Sequence, residues 1–274
     1  MATLIELGYR SALVTGAGSG LGAAFAEALI GQGLQVWGTS RQPDRLTARE
    51  GFVPVEMDLA DGDGIDRLWD RLAAGDPGVD VVVANAGYGV WGEYSGRSFA
   101  DWSGQIDAML TGTARLLHRA LPDLRRRAPS AIVVITSLAV DFPLPGLAGY
   151  NAVKAGLSGL ARGLMVESDG RGPTIVDFRP GDFRTSFNRA MNLPAILADP
   201  SSPLTGAGQR LNALMEGAPD PRRAARDLVR ALRRRRHAVI RSGSFFQARV
   251  APTLARLVPG GWLRVASRRY FGIH

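Results

Sequence analysis

Ser11-Ala12-Leu13-Val14-Thr15-Gly16-Ala17-Gly18-Ser19-Gly20-Leu21-Gly22-Ala23-Ala24-Phe25 is the stretch on which the reading of this chain turns. A short apolar run enters a glycine-rich turn, and an Ala-rich helical pattern then continues to about Gly31. A turn of this kind between strand and helix lets the backbone come close to a pyrophosphate, whose charge meets N–H groups at the helix N-terminus. Gly16, Gly18, Ser19, Gly20, Leu21 and Gly22 are therefore candidate nucleotide contacts.

Working outward, the same alternation recurs. Strand-like runs stand at Leu34 to Thr39, Val53 to Met57, Val79 to Ala84, Ala131 to Thr136 and Thr174 to Phe178, with His237 to Arg241 as a last candidate. Helical patterns follow Asp61 and cover Asp101 to Arg126, Tyr150 to Glu167 and Ala224 to Arg236. Near-continuous Val, Ile and Ala strands alternating with helices indicate a parallel sheet covered on both faces. The expected fold is α/β, a doubly wound parallel sheet of the Rossmann type with a C-terminal helical extension. No linker or repeat divides the 274 residues, so a single domain is expected, with a cofactor half to about 135, a catalytic and substrate half from about 136 to 244, and a basic extension from about 245 to 274.

Composition excludes several classes. There are no cysteines, which removes disulfides, thiolate metal sites and Cys nucleophiles, and fits a reducing, cytoplasmic setting. No metal site is expected. Glu6 interrupts the N-terminal segment before any leader-like pattern forms, and no apolar run is long enough to span a bilayer. Net charge is +8, but from Arg222 onward fourteen Arg face Asp227 alone, a balance of +13, so the preceding residues carry −5. Such a C-terminal excess serves nucleic acid, anionic lipid or plain solubility. No nucleic-acid recognition motif accompanies it, so specific nucleic-acid binding is not expected.

Two features point to chemistry. Among thirty-two arginines the chain keeps one lysine, Lys154, in Tyr150-Asn151-Ala152-Val153-Lys154. Residues four apart share a helix face, so phenol and ammonium can enter one site. At the other end, the second strand closes in Gly38-Thr39-Ser40-Arg41, where a fold binding NAD would carry an acid against the ribose 2′-hydroxyl. A cation and hydroxyls, Ser40 and Arg41, suit a 2′-phosphate. NADP(H) is the expected cofactor, with NAD(H) the alternative.

Over residues 10 to 185 the chain resembles the short-chain dehydrogenases/reductases. The resemblance rests on Thr15-Gly16-x-x-x-Gly20-x-Gly22, Asp58, Asn85-Ala86-Gly87, Ser137 thirteen residues before Tyr150, Lys154, and Pro180-Gly181 followed by Thr185. It implies hydride exchange between a nicotinamide and an alcohol or carbonyl. Asp58, with Leu59 beside it, would meet the adenine, Asn85, Ala86 and Gly87 would flank the cofactor, and Pro180, Gly181 and Thr185 would hold the nicotinamide. Ser137, Tyr150 and Lys154 would be catalytic: Tyr150 the acid or base, Ser137 a donor to the developing oxyanion, and Lys154 a charge that also grips the ribose and lowers the phenol's pKa. A homodimer or homotetramer through the long helices after Gly87 and Ser137 is also implied.

Two positions depart from the pattern. Where the family carries an Asn in the helix before Gly112, feeding protons to the lysine, this chain has Met109, whose thioether accepts only weakly. Asp182 follows Pro180-Gly181 where an apolar residue is usual. On the substrate side, Tyr88, Trp91, Leu138, Leu144 and Phe187 are the expected lining, with Val140, Phe142, Leu147, Tyr94, Met191, Leu193, Ile196 and Leu197 in the same segments. Such a lining suits a lipophilic small molecule. The segment from Phe187 to Pro221 is a candidate lid, and the basic, Trp-containing C-terminus a candidate peripheral contact with anionic lipid. The expected function is an NADP(H)-dependent oxidoreductase for a lipophilic secondary alcohol and its ketone, or an aldehyde and alcohol pair. The alternative, motivated by Met109, is a cofactor-binding regulatory or scaffold protein of the same fold.

Overall fold

The computed structural model describes residues 2–168, 170, 172–187, 191, 204–255 and 260–273. Seven strands form one sheet in the order β3-β2-β1-β4-β5-β6-β7, every neighbouring pair parallel. They are β1 Ser11–Val14, β2 Gln35–Ser40, β3 Phe52–Glu56, β4 Val81–Ala84, β5 Ala131–Ile135, β6 Thr174–Pro180 and β7 Ala238–Ser242. The apolar runs have their reason in the two cores. In β4, Val81 and Val83 enter one core while Val82 enters the other, and in β5 Ala131, Val133 and Ile135 are likewise split from Ile132 and Val134. A pleated strand sends successive side chains to opposite faces, and here both faces are covered.

Helices α1 Gly20–Ile30 and α7 Arg222–Arg234 pack on one face; α2 Gly62–Ala74, α4 Thr113–Arg125 and α5 Ala148–Glu167 pack on the other. Asp61 caps α2 by accepting from Gly64 N–H at 2.9 Å, and Ser98 caps α3, Phe99–Ile106, by accepting from Asp101 N–H. The arginines of α7 largely belong to a solvated helix face. Its inner side buries Ala224, Ala225, Leu228 and Leu232, while Arg223, Arg226 and Arg230 face water.

One helix differs from its expected form. Instead of a single helix from Asp101 to Arg126, α3 and α4 are joined by a π-helical turn, Asp107–Gly112. An extra residue in the turn shifts the helix face, and such turns concentrate at functional sites. Here it aims Met109 inward, 1% exposed, where its Sδ accepts from Tyr88 N–H at 3.3 Å. Gly112 closes the turn so near β3's following loop that a Cβ would lie 2.0 Å from Leu59 O.

Beyond β6 the described chain forms α6 Thr205–Glu216, then α7 and β7. A second π-helical turn, Phe246–Val250, leads into α8 Ala251–Ala255 and α9 Gly260–Tyr270. Among the described residues no helix is long and apolar enough to cross a membrane, and no group of ligating side chains is placed to hold a metal ion.

Candidate active site

The sheet order reverses at β1, whose neighbours are β2 and β4, and a crevice opens above the carboxyl ends of these strands. Loops from both halves of the fold line one cavity of about 810 Å³ there.

The glycine turn forms its first wall. Gly16 and Gly20 take positive φ, 66° and 56°, which side chains disfavour. A Cβ at Gly22 would stand 2.1 Å from Gly16 O and 2.6 Å from Asn85 Nδ2, so α1 approaches β4 only because residue 22 has none. Thr15 and Asn85 lock the two strand ends together. Thr15 Oγ1 accepts from Asn85 N–H and Ala86 N–H at 2.9 and 2.8 Å, and Asn85 Nδ2 donates to Thr15 O at 2.9 Å. Ser19 makes no side-chain bond to the helix it precedes, and the first turn of α1 carries no acid. Gly18, Ser19, Gly20, Leu21 and Gly22 thus line the cavity at the N-terminal end of α1, an end that suits an anion.

Ser40 and Arg41 reach the same cavity from the end of β2, beside Thr39, whose Oγ1 accepts from Gly16 N–H. No carboxylate stands between Gly38 and Arg41. Asp58 and Leu59 line it after β3, with Asp58 folded back to accept from Ala60 N–H at 3.0 Å. Ala86, Gly87 and Tyr88 continue the wall after β4. From the other half come Pro180, Gly181 and Thr185.

Ser137, Tyr150 and Lys154 meet at the inner end. Ser137 follows β5 by two residues and caps a short 3-10 turn, its Oγ accepting from Ala139 N–H at 3.0 Å. A hydroxyl that accepts in this way keeps its one O–H to donate into the cavity. Tyr150 and Lys154 lie one turn apart on α5, both buried. Lys154 Nζ donates to Ile135 O at 2.7 Å and sits 5.6 Å from the centroid of the Tyr150 ring. Its removal from water pulls its pKa down to about 8.

The phenol behaves contrary to expectation. Burial pushes Tyr150 up to about 12; the Ser137 hydroxyl opposes this and the Asp182 carboxyl adds to it. Burial is the largest influence on the phenol, and Lys154 Nζ, bonded to Ile135 O, keeps further N–H donors for the cavity. Asp182 lines the cavity with its own carboxyl raised by burial, against a hydrogen bond donated by Gln247.

On the substrate side Tyr88, Leu138, Leu144 and Phe187 face the cavity, as do Phe142 and Leu147. The Phe187 ring lies 5.6 Å from that of Tyr150. Trp91 does not line it. It is 1% exposed in the core, its ring held against Gly146, which takes φ +72° and would bring a Cβ within 3.0 Å. Tyr94 is exposed and stacks on Trp102, and Met191 is buried beside Gly89. Leu193, Ile196 and Leu197 lie outside the described residues, as does much of the candidate lid.

Leu211, Leu214 and Met215 of α6, within the candidate lid, line the cavity too; Phe246 and Gln247 of the second π-helical turn, and Ser267, Tyr270 and Phe271 near the C-terminus, escaped the sequence reading. No local signal marks them. Only the tertiary fold brings segments so distant in sequence over Tyr150.

The short chain dehydrogenase family model matches residues 10–194. An uncharacterized oxidoreductase of Myxococcus xanthus is 34% identical over 199 residues, which cover 70% of this chain and 79% of that one. The 3beta-hydroxysteroid dehydrogenase 1 of Eggerthella lenta is 31% identical over 194 residues, 67% of this chain and 74% of the other. A solved short-chain dehydrogenase from Streptomyces avermitilis superposes with a TM-score of 0.75 at 27% identity, covering 94% of this chain and 97% of that one. The family match spans the glycine turn, the Ser137 strand end and the helix bearing Tyr150 and Lys154, and with it the chain belongs to the short-chain dehydrogenases, a family of oxidoreductases.

Proposed function

We propose that the protein is an NADP(H)-dependent oxidoreductase interconverting a lipophilic secondary alcohol and its ketone, or an aldehyde and its alcohol, with Tyr150 as the proton donor and acceptor. The observation that carries this is the convergence of Ser137, Tyr150 and Lys154 at the inner end of one cavity whose outer wall is the glycine turn. A bound nicotinamide dinucleotide supplies or takes up the hydride. The glycine turn would hold its pyrophosphate; Asp58, Leu59, Asn85, Ala86 and Gly87 its adenine side and sheet end; Lys154, Pro180, Gly181 and Thr185 its nicotinamide side. The chain's own work is on the proton. With its pKa near 12 the Tyr150 phenol is in donor form at neutral pH, ready to protonate a carbonyl oxygen as it gains charge. The Ser137 O–H supplies a second hydrogen bond to that oxygen.

Ser40 and Arg41 without a neighbouring acid support NADP(H) over NAD(H). Arg41→Ala is expected to weaken NADPH binding by roughly tenfold to a hundredfold, the worth of a charge-assisted hydrogen bond, and to leave NADH nearly unaffected. Calorimetric titration with both cofactors decides it; equal losses would remove Arg41 from the phosphate site.

The apolar part of the lining, with Phe142, Leu144, Phe187, Leu211 and Phe271, supports a lipophilic substrate. The hydroxysteroid dehydrogenase among the relatives acts, by its name, on such a molecule. Two surface readings go with it. The outer face of α5, where Gly159 and Gly163 meet nothing within 4 Å and Val166 is 81% exposed, supports a homodimer or homotetramer. Trp262, 71% exposed on α9 among Arg264, Arg268 and Arg269, supports contact with anionic lipid at the cavity's C-terminal rim. Light scattering is expected to give a multiple of 29.2 kDa, and vesicles with acidic headgroups to sediment the protein at low salt while neutral ones leave it in solution. A monomer mass, or equal behaviour on both vesicles, would dispose of the respective reading.

A further inference from the structure

Behind the cavity wall lie charged side chains that take no part in the proton chemistry. Asp177 on β6 is 0% exposed and Arg179, two residues on, is 5% exposed. Arg179 donates to Asp177 Oδ2 through Nε and Nη2 at 2.9 and 2.8 Å, to Asp141 Oδ1 through Nη1 at 2.7 Å, and to Ser158 Oγ through Nη2 at 2.8 Å. Ser158 Oγ donates in turn to Asp177 Oδ2 at 2.7 Å, and Thr136 Oγ1 donates to Asp177 Oδ1. Asp141 is held from its other side by Arg241 of β7 at 2.8 Å.

Stability is a weak reason to keep such a cluster. Taking charges out of water is costly, and a buried ion pair is often no better than apolar side chains of the same volume. What the cluster joins is more informative. Thr136 immediately precedes Ser137, and Asp141 ends the 3-10 turn that Ser137 begins. Ser158 lies four residues beyond Lys154 and eight beyond Tyr150, on one face of α5. Arg179 immediately precedes Pro180-Gly181. One neutral, fully bonded cluster thus touches every backbone segment that carries a proposed catalytic group.

We propose that the Asp177–Arg179 pair, with Ser158 as its link to α5, is a positioning device that fixes Ser137, Tyr150 and Lys154 relative to one another. The inference rests on the oxidoreductase reading. Its test uses the full-length protein with Arg179→Met, the double variant Asp177→Asn/Arg179→Met, and Ser158→Ala. Arg179→Met strands a buried carboxylate, so it loses both thermal stability and turnover. The double variant removes the stranded charge and recovers melting temperature, yet its kcat stays about tenfold or more below wild type, because small misplacements of a reacting pair are costly. Cofactor affinity and KM stay within a few-fold. Arg179→Lys keeps the cation without the fork and restores kcat only in part.

A double variant with recovered melting temperature and wild-type kcat would overturn the proposal. If that variant does not recover, Ser158→Ala decides, since it removes the link without moving a charge: lowered kcat at near-native melting temperature supports the proposal, and unchanged kcat overturns it. A wild type that reduces no carbonyl sinks the oxidoreductase reading instead. The positioning role is then read from the 13C resonance of the Tyr150 ring carbon bearing oxygen, assigned by Tyr150→Phe. Ser158→Ala moves that resonance if the cluster positions Tyr150 and leaves it in place if it does not.

Discussion

Tyr150→Phe is expected to lower carbonyl reduction by about 10²- to 10⁴-fold in kcat, the range for removing a positioned general acid, while NADPH affinity changes by no more than a few-fold. The substitution deletes one oxygen and keeps the ring, so the contact with Phe187 at 5.6 Å and the approach of Lys154 Nζ to the ring face survive. What is lost is, among the described residues, the only phenolic O–H beside Ser137 and Lys154; Tyr88 and Tyr270 also line the cavity. The raised pKa gives the prediction a direction in pH. Reduction uses the phenol, which remains protonated well past neutrality, whereas alcohol oxidation needs the phenolate and gains rate as pH rises toward 12. Initial rates in both directions against pH, for wild type and variant, check this. A variant with wild-type kcat removes Tyr150 from the chemistry. A wild type that binds NADPH tightly and turns over no ketone or aldehyde favours the scaffold reading that Met109 motivates, the more so if Met109→Asn restores nothing.

The fold was legible because its central strands are buried on both sides. Val81 to Ala84 and Ala131 to Ile135 had to be continuously apolar, and a continuous run is visible without knowing its partners. The glycine turn was legible for a related reason, since the close approach of α1 to Asn85 can be met only by the absence of a side chain at Gly22. Tyr150 and Lys154 announced themselves by a four-residue spacing that any helix converts into a shared face. What stayed hidden was non-local or energetic. Trp91 follows Asn85-Ala86-Gly87 closely enough to seem a lining residue, yet Gly146, far along the chain, turns its ring into the core. The π-helical turn at Asp107–Gly112 leaves no mark in an apolar pattern that reads equally well as one helix. Asp177 falls inside the strand read as Thr174 to Phe178 and Arg179 just beyond it, and their pairing with Ser158 and Asp141 exists only in three dimensions. The direction of the Tyr150 shift depended on how thoroughly Lys154 and the phenol are removed from water, which spacing does not encode.

Lys154→Met should abolish the rise of stability with pH between 8 and 10. In the folded protein burial holds the ammonium's pKa near 8, against an ordinary value of 10.5. Below pH 8 both folded and unfolded chains carry the proton, and the cost of burying that charge is present in full. Between 8 and 10.5 the unfolded chain binds more protons than the folded one, so unfolding free energy rises with pH, by about 3 kcal/mol at most across the window. The bond from Nζ to Ile135 O recovers part of the cost, so the measured rise should fall below that bound. Tyr150 acts with opposite sign and higher up: its raised pKa contributes stability that is present below pH 10 and is lost as pH climbs through 12. Tyr9 and Tyr88, also raised by burial, add to that loss. Wild type should therefore show a maximum near pH 10 on the alkaline side. Met matches the lysine stem in length and carries no charge, so the variant should be more stable than wild type at pH 7 and flat from 8 to 10, with the fall above 10 retained. Urea midpoints at half-unit intervals from pH 7 to 11 test this. A wild-type curve without a rise between 8 and 10 would mean that the ammonium is solvated, and a variant less stable at pH 7 would mean that its bond to Ile135 O outweighs its burial. Turnover should move the other way from stability, falling by about 10²-fold or more as the charge beside the phenol disappears. That opposition is the mark of a group retained against the interest of the fold: in a chain that otherwise writes arginine, the buried site keeps a lysine, whose proton, unlike a guanidinium's, can leave near pH 8.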